Sequence, residues 1–258
     1  MKSVKIAFSQ LQGDIIRRKN MMIGIIILFL GFIYFFSLYR IRYFQSLGLS
    51  YSIADGYVHA LKANQFGFTV LFPFLLFVSV NVESDFDTNK LIRQLNREIL
   101  FKIQLIKMIL LSLGITLFLW LIVMGIYSRY TSLWINWDQS SSVYAIVNHS
   151  TNDVSFFMIQ FVFFISSMTL LMFNFSLFIV CRWIFQKNYV GWLTIIVLLL
   201  WDMKQWVGYQ IVYKFLGIGY ERFVHPFRSI IFSLIFVSIV ILVIRFISKK
   251  IIKRVEFI

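Results

Sequence analysis

The feature that most constrains this chain is a series of six apolar runs, each judged against the length needed to cross a bilayer. They cover about 21–39, 65–82, 103–127, 156–181, 189–201 and 229–247. A helix rises 1.5 Å per residue, so roughly 20 apolar residues traverse ~30 Å of hydrocarbon. The fifth run reaches only about 20 Å by that measure and is the weakest of the series. Of the 258 residues, 60% are hydrophobic and only 14% are charged. A soluble domain carries about 25% charged residues and has no core that could hide 30 phenylalanines. Lipid is therefore the solvent for most of the chain, and backbone groups within it must be satisfied inside helices. The expected fold class is all-α: a polytopic membrane protein with six transmembrane helices in one domain, 1–258. Pro73 lacks an N–H and is predicted to kink the second span.

The distribution of charge orients this arrangement. A net charge of +14 would suggest nucleic acid if the cations formed one patch on a polar domain. Instead they cluster at the ends of apolar runs, where membrane lipid is the fitting partner and nucleic acid is not. When connecting segments are assigned alternately to two sides, 17 of the 25 Lys and Arg residues fall with the two termini, 83–107 and 182–188. The positive-inside rule then puts both termini in the cytoplasm of a multi-pass protein of the cell membrane. The first run is too long for a cleavable signal and lacks a small-residue cleavage pattern, so it reads as a retained anchor.

Two segments flank the spans. Residues 1–20 mix Val4, Ile6, Phe8, Leu11, Ile15 and Ile16 with Lys2, Lys5, Arg17, Arg18 and Lys19. An amphipathic helix lying in the headgroup plane fits this mixture, and a disordered basic tail is the alternative. After the fifth run comes an aromatic, half-apolar stretch containing Asp202, Lys204, Trp206 and Tyr209. It fits a re-entrant or interfacial region on the outer side between spans five and six. The other reading is one tilted helix over 189–215, which would place Asp202 and Lys204 at depth, where charge is costly.

Several chemistries lack their residues. There is no GxxxxGK[ST] phosphate loop and no HExxH, and His59, His149 and His225 are scattered over predicted external segments. Cys181 is the only cysteine, so no intrachain disulfide forms. The spans lack the midplane carboxylates expected of ion-coupled carriers and the ionisable or nucleophilic residues of intramembrane proteases. Ser112, Ser166, Ser167, Ser176, Ser233 and Ser238 read as interhelical hydrogen-bonding groups.

The stretch 83–107, ESDFDTNKLIRQLNREILFKIQLIK, stands apart as a long internal charged segment with helical periodicity. Leu91, Ile92, Leu95, Ile99, Leu100, Ile103 and Ile106 recur at steps of three and four, which gives an apolar stripe. Asp87 and Thr88 can cap its start, and Arg93, Arg97, Lys102 and Lys107 occupy other positions. The helix is expected over 89–102, with Lys107 at the start of the third span. A loop that merely obeys the charge rule has no need of an apolar stripe, so the segment reads as a handle for a soluble partner.

This order of parts resembles the permease subunits of bacterial ABC type 2 exporters. In that family a carboxylate follows span two, and a helix ending in Arg and Lys leads into span three. Glu83, Asp85, Arg93, Arg97, Lys102 and Lys107 match the pattern, while Asp87-Thr88 stands where Gly-Thr is usual. The resemblance implies coupling through Glu83, Asp85, Asp87, Arg93, Arg97 and Lys102 to two copies of an ABC ATPase. It also implies a second permease subunit, identical or homologous. ATP and Mg would be cofactors of the ATPase, with none in this chain, which would be a transport subunit rather than an enzyme. An apolar, aromatic bundle suits a hydrophobic or amphipathic cargo such as an antimicrobial peptide, lipid or drug. Two rivals share the composition: a non-transporting peptide sensor or immunity protein, and a membrane-embedded enzyme.

Overall fold

A computed structural model describes residues 2–85, 97–204 and 220–251. Their regular structure is helical, apart from one isolated bridge between Ser50 and Ser142. The helices are α1 (Lys2–Arg17), α2 (Lys19–Ser46), α3 (Ile53–Ala60), α4 (Ala63–Phe66) and, after a π-helical turn (Gly67–Leu71), α5 (Phe72–Asp85). There follow α6 (Arg97–Tyr127), α7 (Val143–Asn148), α8 (Phe156–Phe185), α9 (Asn188–Lys204), α10 (Tyr220–Val224) and α11 (Pro226–Ile251).

Three of these, α2, α6 and α8, are long and apolar enough to cross a bilayer, with 28, 31 and 30 residues. That makes the chain a helical membrane protein by length and composition. Shorter apolar stretches occupy Gly67–Glu83, Asn188–Asp202 and Pro226–Leu242. The long helices outrun their apolar runs because polar residues with good helix propensity extend them by a turn or two past the hydrocarbon. One expectation changes as a result. No boundary separates a docking helix ending at 102 from a span beginning at 103, because α6 runs unbroken from Arg97. The part of the docking helix expected over 89–96 lies outside the described residues.

The kink expected at Pro73 takes a specific form. Phe72 N–H bonds to Gly67 O, five residues back, so the helix widens into a π turn just before the proline. This local adjustment accommodates the missing proline donor without ending the helix.

Helix α8 is the hub: α6, α9 and α11 all pack on it. Helix α9 comes close at Gly191, where a Cβ would lie 2.6 Å from the Phe178 ring. Helix α1 is docked on α6. It buries Ala7, Leu11 and Asp14 on one face and leaves Val4, Phe8 and Ile16 exposed. The helix directions define two ends of the bundle. One gathers α1, the end of α5, the start of α6 and the end of α8. The other gathers α3, the 128–155 segment and α10.

Candidate functional site

Each end of the bundle contains a buried polar network built on carboxylate, with two acids at one end and one at the other. At the α1 end, Lys107 Nζ donates to Asp14 Oδ2 at 2.9 Å and to Asp85 Oδ1 and Oδ2 at 3.1 and 3.0 Å. Lys107 is 1% exposed, so the ammonium is desolvated and held by charge-assisted bonds from two other helices. One turn before it, Gln104 Nε2 lies 3.5 Å from Asp85 Oδ2 and Gln104 Oε1 accepts from Trp183 Nε1 at 2.7 Å. Trp183 also packs edge-on against Phe101. The network thus ties α1, α5, α6 and α8 together at the last residue of α5.

The opposite cluster is built from connecting segments. Ser52 N and Oγ donate to Asp55 Oδ2 at 2.8 and 2.9 Å, closing a capping box at the start of α3. Trp137 Nε1 and Tyr220 Oη donate to Asp55 Oδ1, each at 2.9 Å. Trp137 stacks on Tyr144 with centroids 4.9 Å apart, and Tyr220 meets both rings edge-on. The first N–H groups of α3 have no helical partners, and Leu133 O and Trp134 O accept from Ile53 N and Ala54 N. At Gly56 a Cβ would lie 2.6 Å from the Tyr127 ring, so α3 sits directly on the end of α6. Burial pushes the Asp55 carboxyl up, against the pull of its four donors. Burial also holds the His59 imidazole well below its usual range and, with Arg40 nearby, brings the Lys62 ammonium down to about 8.

The residues singled out by sequence are distributed as follows. Asp85 is buried in the ion triad, whereas Glu83 is exposed beside it. Arg97 is the first residue of α6, and Lys102 is exposed on that helix. Asp87 and Arg93 lie outside the described residues. Lys2 opens α1, Lys5, Arg17 and Lys19 are exposed, and Arg18 is half-buried at the α1–α2 junction. Asp202 is buried near the end of α9, whose last residue is Lys204. Trp206 and Tyr209 lie outside the described residues. Of the six serines, Ser167 reaches another helix, 3.5 Å from Thr116 Oγ1, while Ser238 bonds its own helix at Leu234 O. The buried Ser112 and Ser233 hydroxyls make no hydrogen bond among the described residues. His59 is buried, and His149 and His225 are exposed. No group of three His, Cys, Asp or Glu among the described residues could hold a metal.

Sequence reasoning missed Asp14, Gln104 and Trp183 at one end and Ser52, Asp55, Trp137 and Tyr220 at the other. Two signals were present. Asp14 is the lone acid among the five cations of residues 1–20, and Ser52-Ile53-Ala54-Asp55 has capping-box spacing. The remaining partners come from distant segments and carry no local mark. Neither a family model, nor a curated protein, nor a solved structure matches this chain.

Proposed function

We propose that this chain is the membrane-spanning subunit of an ATP-driven exporter, with six spans, both termini in the cytoplasm and hydrolysis supplied by separate ATPase subunits. The observation that supports this most is the buried triad Asp14–Lys107–Asp85. Segment 86–96 leaves α5 immediately after Asp85 and returns into α6 ten residues before Lys107. A push on that segment would therefore act on α5 and α6 together, and through Asp14 on α1. Charge-assisted bonds between packed helices transmit such a push better than a slack loop would. The same arrangement suits a transport cycle in which closure of the ATPase dimer rocks the bundle against a second permease. The cargo class is a hydrophobic or amphipathic peptide, lipid or drug.

The test is purification of the full chain from its native membrane in mild detergent. An ATP-binding protein should accompany it, and Arg93→Glu with Arg97→Glu should abolish that association. Lys107→Met should leave the ATPase bound while uncoupling hydrolysis from cargo. If no ATP-binding protein accompanies the wild-type chain, or if the double arginine variant retains it, the exporter reading falls. Accessibility of single cysteines placed at residues 5 and 138 in a Cys181→Ser background checks the topology. Opposite sides are expected, with residue 5 cytoplasmic.

A further inference from the structure

A cavity of about 310 Å³ lies between α6, α8 and α11, away from both buried polar networks. Helices α6 and α11 both pack on α8 but scarcely on each other, and the gap between them forms the groove. Its walls are Phe101, Leu105, Ile109, Phe173, Phe236 and Val240, with neighbouring aliphatic side chains. The flank on α11 stays apolar outside it, since Ile239 and Leu242 are exposed. In a membrane protein this groove opens to lipid tails rather than to water.

Three polar groups break the apolar lining, and they do so asymmetrically. Lys102 lines the cavity on α6, exposed, one turn and a half from the ion triad and without an ion pair among the described residues. Thr169 and Ser176 face the cavity from α8, two turns apart. They are 4% and 8% exposed, yet neither hydroxyl makes a hydrogen bond within the described residues. A serine or threonine in an apolar helix ordinarily bonds back to its own turn, as Ser238 does here. The lining is thus cationic at one end, apolar along its length, and equipped with two unused donors.

We infer that this groove binds an anionic phospholipid of the leaflet on the α1 side, one acyl chain lying along α8 and the phosphate at Lys102. A lysine near a membrane surface attracts an anionic headgroup, and its aliphatic stem can reach from the wall to that level. The tail matches the apolar part of the walls. The inference requires only that the long helices lie in a bilayer and is independent of the exporter reading.

The experiment uses the full chain in detergent with defined lipids, read by native mass spectrometry. Phosphatidylglycerol should be retained in preference to phosphatidylcholine of the same chains. Lys102→Gln should reduce that preference about fivefold, as expected for loss of one lysine at a membrane surface. Arg129→Gln, an exposed cation just past the opposite end of α6, should leave it unchanged. Val237→Trp, which fills the groove from α11, should abolish retention of both lipids. If that variant fails to fold by circular dichroism, Met172→Trp fills the groove from α8 instead. Unchanged preference in Lys102→Gln, or unchanged retention in a folded groove-filling variant, overturns the inference. So does tighter retention of oleate than of phosphatidylglycerol, which would make the ligand a free fatty acid. A self-crosslink at Val237→Cys in vesicles, in a Cys181→Ser background, would assign the groove to a second copy of the chain and equally overturn it.

Discussion

The two ends of the bundle solve the same problem in opposite ways. At the α1 end a desolvated ammonium, Lys107, is shared by two carboxylates from different helices. At the other end a single carboxylate, Asp55, takes four neutral donors, while the nearby cation Lys62 remains outside its hydrogen-bond shell. A charge pair is strong but demands that both partners stay in place, since removing either leaves a buried charge uncompensated. Dipoles divide the task, so that losing one donor leaves three. The first arrangement suits helices that move as a unit, and the second suits a cap that holds three connecting segments together.

The largest expected effect comes from breaking the pair. Lys107→Met removes the buried cation that Asp14 and Asp85 share and should destabilise the chain by about 3–5 kcal/mol, read by denaturant titration in micelles. Replacing all three residues by leucine should recover most of that loss, because apolar side chains need no compensation. If the triple variant is as unstable as Lys107→Met, the loss comes from packing and the contrast between the ends weakens.

Smaller effects are expected at the cap. Asp55→Asn keeps the shape but turns one acceptor into a donor that faces either Ser52 or the Trp137 and Tyr220 pair. A loss of about 1–3 kcal/mol follows from the buried groups left unpaired. Tyr220→Phe removes one of four donors and should cost about 1 kcal/mol, with the ring packing on Trp137 retained. Limited proteolysis within 128–155 should accelerate in Asp55→Asn before α8 is attacked, because Trp137 anchors that segment. A Tyr220→Phe loss equal to that of Lys107→Met would show that the cap depends on one bond rather than on a shared set.

Helical spans were legible because twenty apolar residues in a row have few alternatives in a bilayer. Thus α2, α6 and α8 lie where the runs predict, and only their polar ends were misplaced. Segment 83–107 was recognised as unusual, with Asp85 named for coupling and Lys107 for the start of a span, but nothing local showed that the two face each other and Asp14 within the fold. Periodicity finds the apolar stripe of a helix and says nothing about which charges turn inward, since that depends on a partner some 93 residues away. The same limit hid Trp137 and Tyr220, which reach Asp55 across 82 and 165 residues.

The mildest test concerns the cation that the cap leaves unpaired. Burial and the like charge of Arg40 lower Lys62 to about 8, while Asp55 raises it. Between that value and the usual lysine range near 10.5, the unfolded chain binds more protons at this position than the folded one. Stability contributed by Lys62 should therefore rise with pH across this window. Below pH 8 the charged form is present in both states and the burial penalty is complete. Lys62→Met removes the penalty, so the variant should be slightly more stable than the parent at pH 7. The gap should narrow by pH 9.5. Thermal unfolding of both proteins at pH 7.0, 8.5 and 9.5 reads it as a difference, which cancels the other titrating groups. A variant less stable at pH 7, by an amount independent of pH, would mean that Lys62 pairs favourably with Asp55. The two ends would then share one solution.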